Sequence, residues 1–172
     1  LADTAEQIED ILQNTETIIE AAKYFEGRDS AFYIGRGLGS ATCYEGALKL
    51  KEISYIHAEA YPAGEMKHGP IALIEKGFPI VAVATQSPTY DKTVSNLAES
   101  KARGASIIAI ATEGDTEITK VADHVIYIPK VRDSFMPITA SVPLQLLARQ
   151  VAVNRGCDVD QPRNLAKSVT VE

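Results

Sequence analysis

Glu45, Lys49 and Glu52 stand at i, i+4 and i+7 in the run Glu45-Gly-Ala-Leu-Lys-Leu-Lys-Glu52. On a helix that spacing puts two carboxylates and one ammonium on a single face. Such a face can do proton chemistry. A carboxylate beside an ammonium is held ionised, and one pressed into an apolar pocket becomes a stronger base, so one group can orient while another abstracts. The same ladder also occurs as plain helix decoration, and spacing alone leaves both readings open. Ala47, Leu48, Leu50 and Ile53 line the other sides, which predicts that the charged stripe lies against protein or ligand instead of bulk water.

A second candidate is His68, in Gly64-Glu-Met-Lys-His68-Gly-Pro70. Flanking glycine and proline predict an ordered loop or a single helical turn with the imidazole facing outwards. Histidine titrates near neutrality and suits general acid–base work. His57 and His124 have no partner at a recognisable spacing and read as structural histidines. Three scattered histidines make no zinc pattern, so no metal and no cofactor are expected.

Lys167 lies in the tail, where Leu165, Val169 and Val171 can anchor the chain and bring the amine to a pocket that lowers its pKa. The alternative is a solvated terminus. The stretch Gly35-Arg-Gly-Leu-Gly-Ser-Ala-Thr42 combines three glycines with two hydroxyls at a helix start, which suits an oxyanion. It equally suits a tight turn, because Ser40 stands where the third glycine of a G-x-G-x-x-G fingerprint belongs.

The elements that must position these residues follow from periodicity. Ile8, Ile11, Leu12, Ile18, Ile19 and Ala22 predict one helix over 4–26, with Thr4 and Gln7 in the form of a capping box. Ala31–Ile34, Pro79–Thr85, Ser106–Thr112 and His124–Ile128 are near-continuous apolar runs, the mark of strands buried on both faces. Helical patterns over 89–103 and, shorter, 117–121 alternate with them, which implies parallel strands with right-handed crossovers in a three-layer α/β fold. A final helix is expected over 135–154, with Pro143 near its first turn or kinking it and Gly156 as its left-handed cap. Ligands of such sheets bind beyond the carboxyl ends of the strands.

A chain of 172 residues, 45% hydrophobic, fits one domain. Its net charge of −6, with no basic run, argues against a nucleic-acid partner. Cys43 and Cys157 show neither CxxC nor metal spacing, so a reducing compartment, the cytoplasm, is expected. No apolar run is long enough to span a membrane. The first residue is Leu1 and not Met, which reads as a fragment of something longer.

Glu45–Tyr61, Gly64–Pro70, Val142–Ala148 and Asp158–Glu172 closely resemble the C-terminal end of the glutamine–fructose-6-phosphate aminotransferase (isomerizing) family, the glucosamine-6-phosphate synthases. The resemblance spans nearly the whole chain from Ala31. It implies the second of two sugar-isomerase (SIS) domains over 1–156, a three-layer αβα, doubly wound, flavodoxin-like fold with a five-stranded parallel sheet, and a tail over 157–172. It also supplies a fifth strand, Ala58–Tyr61, that periodicity does not.

By the same resemblance Glu52 is the base that moves a proton between C1 and C2 of the sugar, supported by Lys49 and Glu45. His68 opens the fructose ring and reaches the neighbouring subunit's site. Lys167 forms an imine with the open-chain sugar, and the backbone of Ala166 contacts the substrate. The implied partners are fructose 6-phosphate and glucosamine 6-phosphate, the first SIS domain and glutaminase domain of the parent chain, and a second copy in a homodimer. The phosphate cradle belongs to the first SIS domain and glutamine hydrolysis to the glutaminase domain, so little turnover is expected of this chain alone. A non-catalytic phosphosugar-binding module and a fructosamine-phosphate deglycase or isomerase are the alternatives.

Overall fold

The computed structural model describes residues 2–165. Helices α1 (Ala2–Gln13) and α2 (Glu16–Ala22) lead through a 3₁₀ turn, Lys23–Phe25, into strand β1 (Ser30–Gly35). Helix α3 (Leu38–Ser54) follows, then β2 (His57–Pro62) and two 3₁₀ segments, Ala63–His68 and Pro70–Leu73. Strand β3 (Pro79–Ala84), helix α4 (Tyr90–Lys101), β4 (Ser106–Thr112), β5 (His124–Ile128) and α5 (Met136–Asn154) complete the order. All strand pairs are parallel, in the order β2-β1-β3-β4-β5. This is the flavodoxin-like arrangement, whose connections reverse direction between β1 and β3.

Period-two alternation explains the unbroken apolar strands. Tyr33, Val81, Val83, Ile108 and Ile110 face a core shared with α1, α2, α3 and α5. Phe32, Ile34, Ile80, Ala82, Ile107 and Ala109 face the opposite core under α4 and the 3₁₀ turns. Neither face meets water, so no polar residue is required at either phase. The edges are the exceptions: in β2 only Ala58 is buried, and in β5 only Ile126 and Ile128.

Three expectations need correction. The single helix over 4–26 is two helices, broken at Asn14 and Thr15, and Thr4 is buried inside α1 instead of capping it. The break has no glycine or proline, and its local signal is Thr15, which stands as the N-cap of α2. The segment 117–121 is only a 3₁₀ turn, Ile118–Lys120. Pro143 lies in the interior of α5, beyond the first turn, and is buried against the core.

The buried titratable groups of this core make stability pH-dependent. Burial pushes the Cys43 thiol from 9.0 up to about 12, and burial, with a smaller contribution from Cys43, raises the Tyr33 phenol as well. Both groups hold their protons more tightly folded than unfolded, so their contribution is complete below about pH 9 and is lost as pH rises towards about 12. The melting temperature is therefore expected to be level from neutrality to about pH 9 and to fall above it. A level profile through about pH 11 would contradict the burial of both groups.

Candidate active site

Helix α3 carries the charged stripe, and its packing fixes where the stripe lies. The helix starts directly after β1 because Gly35 lets the chain double back: a Cβ there would stand 2.6 Å from the carbonyl carbon of Gly39. Gly37, at φ 54°, makes the turn. Further along, Gly46 lets α3 seat against β1 and α5, since a Cβ there would meet the Tyr33 ring at 2.7 Å and Leu144 at 3.1 Å. The helix therefore runs antiparallel to the strands, from their carboxyl ends towards their amino ends.

The stripe forms as the spacing predicts. Lys49 Nζ donates to Glu52 Oε2 at 2.8 Å and stands 4.0 Å from Glu45 Oε1. Gln145 Nε2 of α5 donates to the same Glu45 oxygen at 3.1 Å. The side chains are about one third exposed (33% for Lys49, 36% for Glu45 and 29% for Glu52), so the stripe lies half-open beside α5 instead of sealed beneath it. The hydrogen bond to Glu52, outweighing a smaller opposing effect of burial, raises the Lys49 ammonium above its usual range. Lys49 is thus a fixed cation at neutral pH and no amine nucleophile.

The stripe does not lie at the carboxyl ends of the strands, where ligands of such sheets bind. Glu52 lies fourteen residues into α3 from Leu38, about 20 Å of helix away from the glycine turn. A separate cavity of about 130 Å³ occupies the crevice between the ends of β1 and β3, lined among others by Arg36, Thr85, Ser87, Thr89 and Asp133. Ser40 and Thr42 do not line it, and the Thr42 hydroxyl is taken by the Leu38 carbonyl at 2.9 Å. Its hydroxyls come instead from Thr85-Gln-Ser-Pro-Thr89, a hydroxyl-rich run at a strand end that periodicity alone passes over. Several of its polar groups are already engaged: Arg36 Nε donates to Asn96 Oδ1 at 3.1 Å, and Ser87 Oγ pairs with Thr89 Oγ1 at 3.2 Å.

His68 ends the 3₁₀ segment after β2, exposed as expected, with its Nε2 4.0 Å from Glu65 Oε2. Glu52 belongs to α3, which packs on one face of the sheet, whereas His68 ends a segment packed with α4 on the other face, where the neighbouring Lys67 pairs with Glu99 at 2.8 Å. They do not meet within one protomer. His124 is satisfied by the Thr17 carbonyl at 2.6 Å, whereas His57 is exposed on the edge strand, 3.6 Å from Glu59.

Lys167 and Ala166 lie outside the described residues. What is described is the return of the chain after α5. Cys157 Sγ stands 3.9 Å from the Ser54 carbonyl, the Arg163 amide donates to the Tyr55 hydroxyl at 3.0 Å, and the Arg163 guanidinium sits 4.0 Å over the Tyr55 ring. The tail thus comes back to the end of α3, three residues beyond Glu52. Among the described residues no group of three or more His, Cys, Asp or Glu could hold a metal ion, and no helix is long and apolar enough to cross a membrane.

A five-stranded parallel sheet in flavodoxin-like order, with a carboxylate–ammonium stripe on the helix after its first strand, defines a doubly wound α/β domain. The chain belongs to the SIS domain family, which it matches over residues 24–155. It is 60% identical over 166 residues to a glutamine–fructose-6-phosphate aminotransferase (isomerizing) of Thermus thermophilus, covering 96% of this chain and 27% of that protein. It is 51% identical to the Chlorobaculum tepidum protein of that name, over 100% of this chain and 28% of the relative. The chain therefore spans little more than a quarter of the length of these relatives. The C-terminal domain of glucosamine-fructose-6-phosphate aminotransferase from Francisella tularensis superimposes with a TM-score of 0.83 at 41% identity, covering 91% of this chain and 44% of that one.

Proposed function

We propose that this chain is the second half of the isomerase region of a glutamine–fructose-6-phosphate aminotransferase, with 1–156 as an SIS domain and 157–172 as an active-site tail. The observation that carries the reading is the return of the tail to the end of α3 that bears the Lys49–Glu52 pair. Lys167 is four residues past Arg163, at most about 14 Å of extended chain.

In this reading the Lys167 amine adds to the C2 carbonyl of open-chain fructose 6-phosphate and water leaves, forming an imine. Ammonia released from glutamine in another domain displaces the lysine. Glu52 then takes a proton from C1, now acidified by the adjacent C=N bond, and returns it to C2 while C1 becomes the aldehyde of glucosamine 6-phosphate. The sum is fructose 6-phosphate plus ammonia giving glucosamine 6-phosphate plus water. Lys49 holds the Glu52 carboxylate in place, Glu45 and Gln145 brace Lys49, and the Ala166 backbone contacts the sugar. The first SIS domain supplies the phosphate cradle, and the parent enzyme works as a cytoplasmic homodimer.

The separation of Glu52 from His68 supports a site shared between subunits, with the ring-opening histidine supplied by the partner copy. Full-length Glu52→Gln and His68→Ala proteins, each nearly inactive, are expected to regain roughly a quarter of normal synthase activity when their subunits are mixed, because half the dimers are hybrids with one intact site. No recovery in verified hybrids would place His68 in its own subunit's site or outside catalysis.

A second reading, a non-catalytic phosphosugar-binding module, is favoured by one observation, the crevice cavity beside Arg36 and Thr85. Micromolar binding of sugar phosphates by the isolated chain would favour it over the enzymatic reading.

A further inference from the structure

Helix α3 ends on Tyr55 at φ 63° and ψ 14°, in the left-handed region. A left-handed residue is a common way to finish a helix, but glycine holds that conformation without the steric penalty of a Cβ. The chain follows that rule after α5, where Gly156 has φ 71°. At 55 it keeps a tyrosine instead. Unfavourable backbone conformations persist where the surrounding structure gains from them, and the Tyr55 side chain has two identifiable tasks. Its hydroxyl accepts the backbone N–H of Arg163 at 3.0 Å, and its ring carries the Arg163 guanidinium at 4.0 Å from the centroid. The main chain turns immediately afterwards, at Asn164 with φ 62°.

We propose that Tyr55 is a positioning residue that pins Arg163 to the end of α3 and so sets the point from which the tail delivers Lys167 to the sugar beside Glu52. The inference rests on the imine reading above and deepens it. Tethering an amine near its target raises its effective concentration, and misplacing a reacting group by about 1 Å can lower the rate about 10²-fold. Tyr55 touches neither Glu52 nor the substrate in this scheme; it acts through Arg163. The anchor is partly exposed and belongs to neither buried core, so losing it should spare the fold.

The test uses the full-length enzyme with fructose 6-phosphate and borohydride. Hydride adds to C2 of the imine and leaves a stable secondary amine on Lys167, which peptide mass spectrometry quantifies. Tyr55→Gly keeps the left-handed cap while removing ring and hydroxyl, so its melting temperature is expected to hold. Its Lys167 adduct and its kcat are expected to fall about 10- to 100-fold, with KM for fructose 6-phosphate nearly unchanged. Tyr55→Phe, which retains the ring, should fall between Tyr55→Gly and the parent enzyme. Arg163→Ala should match Tyr55→Gly, and the double variant should be no worse than either alone, because both remove one anchor. Equal adduct yield and kcat in Tyr55→Gly and the parent enzyme would overturn the positioning role while leaving the imine intact. Absence of any Lys167 adduct in the parent enzyme would instead overturn the imine reading and this inference with it.

Discussion

Replacing Glu52 by glutamine in the full-length aminotransferase is expected to lower glucosamine 6-phosphate formation by about 10²- to 10⁴-fold, the range that a positioned general base contributes. The amide matches the carboxylate in shape and keeps an oxygen to accept from Lys49 Nζ, which lies 2.8 Å from Oε2 in the parent protein. On the proposed reading, what disappears is the capacity to take a proton from C1. Folding should change little, because the ion pair it breaks is about one third exposed and such pairs contribute on the order of 0–1 kcal/mol. On the same reading glutamine hydrolysis belongs to another domain of the parent chain and should persist. Measuring both half-reactions on one preparation decides the matter: a parallel loss of glutaminase and synthase activity would mean that Glu52 supports the architecture and not the proton transfer.

Gly35→Ala is expected to be the most damaging small change in the fold. The new methyl carbon would lie 2.6 Å from Gly39 C, 2.8 Å from Gly39 O and 2.9 Å from Ser40 N, all backbone atoms in the first turn of α3. No side chain can rotate away, so the helix itself must move off β1. A cost of about 3 kcal/mol, at the upper end of usual overpacking, corresponds to a fall of roughly 6–12 °C in melting temperature for a chain of this size. Gly27→Ala is the matched control. Its φ of 69° disfavours a side chain, but nothing lies within 4 Å, so its penalty should stay near 1 kcal/mol. If Gly35→Ala melts no lower than Gly27→Ala, the close approach of α3 to β1 is wrong.

How much of this is legible in the residues varies with the range of the interactions involved. Strands β1, β3 and β4 stand out because burial on both faces excludes polar residues from either phase of the pleat, and β5, though an edge with Tyr127 exposed, keeps an apolar run. Strand β2 does not: as an edge it carries His57, Glu59 and Pro62, and only the family resemblance marks it. The split between α1 and α2 does carry a local signal that the apolar period hides: Asn14 and Thr15 are weak helix formers and Thr15 is the N-cap of α2. Pro143 belongs near a helix start on local grounds, yet α5 accepts it inside because the surrounding core holds the helix together.

The spacing of Glu45, Lys49 and Glu52 is enough to say that they share one face and pair with one another, since 3.6 residues per turn is a property of the backbone alone. Where that face looks is a matter of how the elements pack. Packing carries Glu52 about 20 Å down α3 from the crevice, leaves the stripe half-open beside Gln145 of α5, and sets His68 beside α4 on the opposite face of the sheet. It also brings Arg163 onto Tyr55 across 108 positions of chain. Such meetings depend on the docking of whole helices and strands, and no local period encodes them.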